Sequence, residues 1–254
     1  MKIYTGDCLN VLSIPEHFDL LYLDPPFGPV GEDIYYGVGD SLEEYVDYVY
    51  ERIIRICSKA KNYNVVVQLD PKASHYLKVK LDGFFGRRNF QNEIIWGWSA
   101  PSNNTRHLPR KHGVLLWWGM GKYVFNPIHV PYKAESLRVG GKTSWAKETK
   151  DISTYLERGK LIEDWWTDIP PLVRNEAEKR GYATQKPIKL LERVVRMLSN
   201  PDGLVIDPMF GSGTTLLAAQ NLGRQFIGSD KNPEAVAIAM GALEKDRPPF
   251  WIKT

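Results

Sequence analysis

Two short stretches carry side chains from which chemistry could be built: Asp24-Pro25-Pro26-Phe27 near the start of the 254-residue chain, and DPMFGSGTT (207–215) near its end. An ionised Asp24 only accepts hydrogen bonds, the Pro25 carbonyl is a second acceptor, and Phe27 adds an aromatic face. The prolines cannot extend a sheet ladder, so the apolar run FDLLYL (18–23) must stop there and deliver Asp24 at its carboxyl end. In the second stretch, glycines let the backbone pass close to a ligand, and the helix that follows points its N-terminus at polar or anionic groups. It is not a P-loop, since no Gly-Lys-Ser/Thr follows, nor the dinucleotide fingerprint, since Leu216 replaces the last glycine. Asp230 ends the next apolar run, where related turns place an acid on ribose hydroxyls. The pattern suits an adenosine ligand that lacks a pyrophosphate.

The elements that must position these groups alternate. KIY (2–4), FDLLYL, YNVVVQL (63–69), LVIDP (204–208) and QFIGSD (225–230) read as buried strands. Ser41 and Glu44 form a capping box for a helix with an apolar stripe of Leu42, Tyr45, Val46, Val49, Ile53 and Ile56. PKASHYLKVKL reads as a helix starting at Pro71 and stopping near Gly83. Further helices span 187–198 and 232–245, the latter capped by Asn232, and 211–223 reads as a glycine turn into a helix that ends at Gly223. EIIWGW (93–98) and VLLWWG (114–119) read as strands, with MGK turning the second into a hairpin with YVF (123–125). This alternation predicts an α/β fold, a mostly parallel sheet with helices on both faces. From about 127 to 183 the periodicity fades, as expected of an insert of short or irregular elements.

Hydrophobic content is 43% and charged content 25%, values of an ordinary globular chain. No apolar run reaches the roughly 20 residues of a membrane helix, and MKIYTGDCLN lacks the core of a signal peptide. Cys8 and Cys57 and five scattered histidines have no metal-ligand spacing, so no metal is expected and a cytoplasmic setting is. Net charge is +3, yet residues 101–200 hold 18 basic against 10 acidic side chains. Such a section suits a polyanion partner; it also arises where charge gathers on a solvated face.

An adenosine site without a pyrophosphate clamp fits S-adenosylmethionine, which has an adenine, a ribose, a cationic sulfonium and no phosphate. At four places the chain resembles the amino-group (N6-adenine or N4-cytosine) DNA methyltransferases of the permuted beta class. DPPF is similar to their catalytic tetrapeptide and DPMFGSGTT to their cofactor loop. TQKP (184–187) is similar to the segment that closes over the methionine end of the cofactor, and GDCL (6–9) to one that places an acid near its adenine. NEIIWGW and KHGVLLWWGMGKYVFNP resemble the strand and hairpin that follow. The resemblance covers most of 1–127 and 164–246. Ala183 stands where the family often has proline, and 128–163 has no counterpart.

The resemblance implies a circularly permuted Rossmann-like S-adenosylmethionine-dependent methyltransferase sheet, because DPPF precedes the cofactor loop. The catalytic domain would be 1–127 with 164–254, and 128–163 an inserted segment. It implies catalytic roles for Asp24, Pro25, Pro26 and Phe27. It assigns the cofactor to Asp7, Cys8, Thr184, Gln185, Lys186, Asp207, Phe210, Gly211, Ser212, Gly213, Thr214 and Asp230. The implied reaction moves a methyl to an exocyclic amine of a base flipped out of double-stranded DNA. Asp24 and the Pro25 carbonyl would take the two amine protons, and Phe27 would stack the base for about 1–3 kcal/mol. Adenine N6 is favoured because D-P-P-F/Y is commoner in adenine enzymes and S-P-P-Y in cytosine ones. N4-cytosine stays open, as do an RNA-directed enzyme and a non-catalytic DNA- or cofactor-binding protein. Cytosine C5 chemistry, which in its family uses a Pro-Cys pair, is excluded: Cys8 follows Asp7 and Cys57 follows Ile56.

Target recognition is expected in 101–183. Residues 101–160 hold 11 basic against 4 acidic side chains, and Arg106, Arg110, Lys111, Lys133, Arg138, Lys142 and Lys147 are collective candidates for DNA contact. The glycine-rich loop 28–40, with Tyr35 and Tyr36, either closes on DNA or is plain surface. A homodimer and a cognate restriction nuclease are open as further partners; a membrane is not.

Overall fold

The chain opens on β1 (Lys2–Thr5) and the one-turn helix α1 (Cys8–Val11), which Asp7 caps by accepting from the Leu9 N–H at 3.0 Å. β2 (Leu20–Leu23) follows. The computed structural model describes residues 1–26, 41–131, 157–172 and 177–245, so Phe27, the 28–40 loop, Lys133, Arg138, Lys142 and Lys147 lie outside the described residues.

Ser41 caps α2 (Leu42–Cys57), its hydroxyl accepting from the Glu44 N–H at 3.1 Å. β3 (Tyr63–Leu69) is buried along its whole length. α3 (Pro71–Phe85) starts at its proline but runs through Gly83 and ends at Gly86, where φ is +83°. The expected stop at Gly83 is thus corrected. Gly83 lies on the solvent side, and the buried stripe Leu77, Leu81, Phe85 continues past it. Burying Phe85 is worth roughly 1.5–3 kcal/mol, more than the ~1 kcal/mol a helical glycine costs.

β4 (Phe90–Gly97) and β5 (His112–Met120) complete the first half. The expected hairpin from β5 into 123–125 does not form. β5 already pairs antiparallel with β3 on one edge and β4 on the other, so neither edge is left for YVF. The chain instead turns at Gly121, where φ is +61°, and Tyr123 folds back over Gly119. Its ring meets Trp117 edge-on at 6.1 Å, and its hydroxyl donates to Gln91 at 2.9 Å.

In the segment Asn126–Glu163, a unit of its own, β6 (His129–Val130) pairs antiparallel with β7 (Lys160–Leu161). The larger unit, Met1–Phe125 with Asp164 onward, continues with β8 (Trp165–Trp166), α4 (Ile188–Leu198), β9 (Leu204–Asp207), α5 (Thr214–Asn221), β10 (Gln225–Asp230) and α6 (Pro233–Lys245). Among the described residues its sheet has eight strands in the order β1-β10-β9-β2-β3-β5-β4-β8, with β1 through β3 parallel.

Helices cover both faces. Leu21, Leu23, Val65, Val67 and Trp118 pack with the buried stripes of α2 and α3. Asn64 points to the opposite face, where its amide donates to the Leu198 carbonyl at the end of α4 at 3.0 Å and accepts from Trp117 at 2.9 Å. A buried amide so satisfied avoids a desolvation penalty and fixes how α4 sits on the sheet. Among the described residues no helix is long and apolar enough to cross a membrane.

Candidate active site

β2 and β9 are neighbours running in the same direction, with Leu20 beside Val205 and Leu21 beside Ile206. Their carboxyl ends therefore release Asp24 and Asp207 side by side. β10 lies next to β9 and adds Asp230 at the same edge. In open α/β sheets that edge is where ligands bind. Here it bounds a cavity of about 620 Å³, within the range of small-molecule sites. Asp24, Pro25 and Pro26 line one part, and Asp207, Phe210, Gly211, Ser212 and Thr214 another. Thr184 and Lys186 come from the segment before α4, and Asp230 closes the ring.

The glycine turn is set by local bonds. Gly211 and Gly213 have φ of +52° and +73°, the region that favours glycine. The Gly211 N–H donates to Asp230 Oδ2 at 2.8 Å, and the Asn232 N–H to Oδ1 at 2.8 Å. The Gly213 N–H donates to the Phe210 carbonyl at 2.8 Å. Ser212 and Thr214 share a hydroxyl–hydroxyl bond of 2.9 Å at the start of α5.

Asp24 is held by an ion pair from Lys186 to its Oδ2, while Oδ1 is buried with no hydrogen-bond partner among the described residues. Burial lifts the Asp24 carboxyl above its ordinary range, and the Lys186 ammonium opposes that lift. Asp207 is pushed up to about 7, chiefly by burial, with the Asp24 and Asp230 charges adding to it. Bonds from Thr215 and the Met209 N–H pull the other way. Tyr22 also lines the cavity and donates to Gln68 at 2.6 Å.

Four of the expected cofactor residues are not cavity walls. Asp7 bridges Arg52 at 2.7 Å and Lys231 at 2.8 Å. Cys8 is buried beside it, its thiol pushed up to about 11 chiefly by burial, so it is no thiolate at neutral pH. Cys8 lines a small neighbouring recess with Arg52, Tyr48 and Lys231. Gln185 braces the loop before α4, accepting from the Arg180 N–H and donating to the Glu178 carbonyl, each at 2.8 Å. Gly213 packs against α6: a Cβ there would lie 2.4 Å from that of Ala239. Conversely, the cavity recruits Tyr22, Tyr48, Tyr182, Thr215 and Lys231, which sequence reasoning had not singled out. Tyr22 sits inside an apolar run where nothing marks it as a ligand group. Lys231 directly follows Asp230 and could have been found on that ground.

Arg106 and Arg110 are exposed and Lys111 half-buried on the 98–111 connection. β4 runs opposite to β5, and β5 opposite to β3, so β4 runs with β2 and β3. The connection therefore leaves β4 at the edge where Asp24 emerges.

Comparison with known proteins bears on the family and the fold. The type II methyltransferase M.BamHI of Bacillus amyloliquefaciens is 30% identical over 264 residues, covering 97% of this chain and 58% of M.BamHI. The chain thus spans less than two thirds of that relative's length. The crystal structure of the M1.HpyAVI–SAM complex superposes with a TM-score of 0.62 at 22% identity, over 95% of this chain and 98% of the other. The PvuII DNA methyltransferase (cytosine-N4-specific) gives 0.65 at 18% identity, over 94% and 85%. These likenesses are of fold. The family model described as DNA methylase matches residues 18–241, and the chain belongs to that family.

Proposed function

We propose that this protein transfers a methyl group from S-adenosylmethionine to the N6 amine of adenine in double-stranded DNA. The observation that carries the reading is that Asp24 and the glycine turn share one cavity, with Asp24 Oδ1 buried there and without a partner among the described residues. A buried acceptor without a donor costs free energy until a ligand supplies one.

The residues fit the cofactor. The Asp207 carboxylate suits its ammonium, the α5 N-terminus and Thr214 its carboxylate, and the carboxylates with Tyr182 and Phe210 an adenosine. When bound, S-adenosylmethionine supplies an electrophilic methyl on a positively charged sulfur.

Asp24 Oδ1 and the Pro25 carbonyl accept hydrogen bonds from the two N–H groups of the base amine. This draws the nitrogen out of conjugation and aims its lone pair at the methyl. With the cofactor bound, the nitrogen lone pair would take the methyl, and the bonding pair would remain with the cofactor's sulfur. The nitrogen becomes cationic and sheds one proton to solvent; the Asp24 carboxylate stabilises that charge as it develops. Prepositioned groups of this kind are worth about 3–4 kcal/mol each. The prolines hold both acceptors without reordering at each turnover. Phe27 is assigned the base face.

N4-cytosine is the second reading, because the two acceptors grip any exocyclic NH₂ and a cytosine-N4-specific enzyme shares the fold. The same proposal takes the chain as a circularly permuted domain, since Asp24 precedes Gly211, with 128–163 inserted and 101–183 reading the target. It also takes a cognate restriction nuclease as partner in the cytoplasm, a view the type II name of the relative supports.

Nucleoside mass spectrometry of DNA from cells expressing the protein tests the proposal, with Asp24→Ala as control. N6-methyladenine that disappears in the variant is expected. N4-methylcytosine would select the second reading, and neither base would sink both.

A further inference from the structure

Lys186 lies on the segment that leads into α4, and its ammonium pairs with Oδ2 of Asp24 at the tip of β2. The contact is sheltered: the Lys186 side chain is 10% exposed and that of Asp24 18%. The segment that carries Lys186 is braced. Gln185 spans it with two bonds of 2.8 Å, Glu178 accepts from the Ile188 N–H at 2.5 Å, and Lys186 Nζ also donates to the Thr184 carbonyl at 3.3 Å. So the ammonium is presented to Asp24 by a constrained piece of chain rather than by a surface lysine.

We propose that Lys186 is a positioning residue for the methyl-accepting site: it takes Oδ2 of Asp24 and leaves Oδ1 as the oxygen that meets the substrate amine. The inference rests on the amino-methyltransferase reading above.

Three physical points carry it. First, the terminal torsion of an aspartate is broad and roughly two-fold, so an untethered carboxylate would present either oxygen, or neither squarely. One charge-assisted bond to Oδ2 selects the orientation. Second, a buried carboxylate without a cation tends to take up a proton. A protonated Asp24 would turn one acceptor into a donor facing an N–H. The other titratable groups that face it, among the described residues, are Asp207 from β9 and Tyr22 on its own strand, with Asp230 of β10 further along the cavity. Asp207 repels a second negative charge, and the Tyr22 hydroxyl is committed to Gln68. Third, a methyl donor that carries a sulfonium cation is repelled by an unpaired ammonium in the same cavity. Pairing with Asp24 cancels that repulsion.

The test compares Lys186→Met, Lys186→Gln and Lys186→Arg with the unchanged protein. Binding of S-adenosylhomocysteine is measured by calorimetry, and single-turnover methyl transfer is followed against pH at saturating DNA and cofactor. The carboxyl titration of Asp24 is followed by ¹³C NMR of aspartate-labelled protein, assigned with Asp24→Asn. In the Met and Gln variants the analogue keeps its affinity and the rate at neutral pH falls about 100-fold. The acidic limb of the rate profile and the Asp24 titration both move up by about one pH unit or more. Lys186→Arg keeps both near those of the unchanged protein.

Loss of analogue affinity with an unmoved Asp24 titration would overturn the proposal and make Lys186 a cofactor ligand. Equal loss of activity in all three variants with an unmoved titration would overturn it in favour of a structural role. An unchanged protein that transfers no methyl, yet shows the displaced titration in the variants, would sink the methyltransferase reading and leave the Lys186–Asp24 relation standing.

Discussion

The Gly211 N–H donates to Oδ2 of Asp230 at 2.8 Å, and so ties the glycine turn to the end of the neighbouring strand. Oδ1 is engaged as well, by the Asn232 N–H. An acid expected only to meet ribose therefore also fixes the loop that would cradle the cofactor. Asp230→Ala removes two charge-assisted bonds, each worth about 1.5–3 kcal/mol. With the carboxylate half-exposed, the lower figure applies. S-adenosylhomocysteine affinity should fall about tenfold or more by calorimetric titration. Unchanged affinity would mean that the turn keeps its shape, and the ligand its grip, without the acid.

Gly213 and Gly223 make a controlled pair. Their φ values are +73° and +70°, so alanine at either costs about 1–2 kcal/mol of backbone strain. At Gly223 an added Cβ meets nothing within 4 Å among the described residues. At Gly213 it would lie 2.4 Å from the Cβ and 3.0 Å from the Cα of Ala239, so α5 and α6 must separate. That adds overpacking of about 1–3 kcal/mol. Urea denaturation should find Gly213→Ala the more destabilising by that margin; equal losses would show that the helices give way freely.

What could be read from the residues themselves depended on how local the deciding physics was. β2 and β3 were legible because parallel strands covered on both faces read as unbroken apolar runs. Ser41 and Asn232 were legible as caps because the bond each makes lies within three residues. The YVF segment was misread: its pattern suits a strand, but whether an edge is free depends on β3 and β4, which pattern cannot see. The cage around Asp7 was invisible for the same reason. Arg52 comes from α2 and Lys231 from the end of β10, and nothing in their spacing brings them together. Lys186 could be assigned to the cofactor, but its bond to Asp24 appears only once the strand ends are side by side.

Asp207 and Asp7 should pull stability in opposite directions with pH. Burial, chiefly, pushes the folded Asp207 carboxyl up to about 7, against about 3.9 in an unfolded chain. Between these values the unfolded state sheds a proton that the folded state keeps, so this group's contribution to stability declines as pH rises from about 4 to about 7. Asp7 behaves the other way. Burial alone would raise it, but bonds from Lys231, the Leu9 N–H and Arg52 hold it well below the usual carboxylate range. Its contribution is complete above about pH 4 and is lost as pH falls below that. Thermal melts from pH 4 to 8 should show Asp207→Asn gaining on the unchanged protein as pH rises. A constant offset would mean that Asp207 is ionised throughout.

The 98–111 connection should carry part of the DNA charge. Arg106 and Arg110 are exposed, and the connection leaves the sheet at the edge where Asp24 emerges, so duplex held over the cavity would lie beside it. Each phosphate neutralised adds about 0.9 to the slope of log affinity against log salt. Replacing Arg106, Arg110 and Lys111 together by serine should therefore lower that slope by about 2–3, measured by fluorescence anisotropy on a short duplex. Because these side chains do not line the cavity, analogue affinity and the single-turnover rate at saturating DNA should hold. Phosphate contacts position the duplex without reading its sequence, so the loss should be uniform across target and non-target DNA. A loss confined to one target sequence would instead assign these side chains to base edges. An unchanged slope would move the DNA path off this connection altogether.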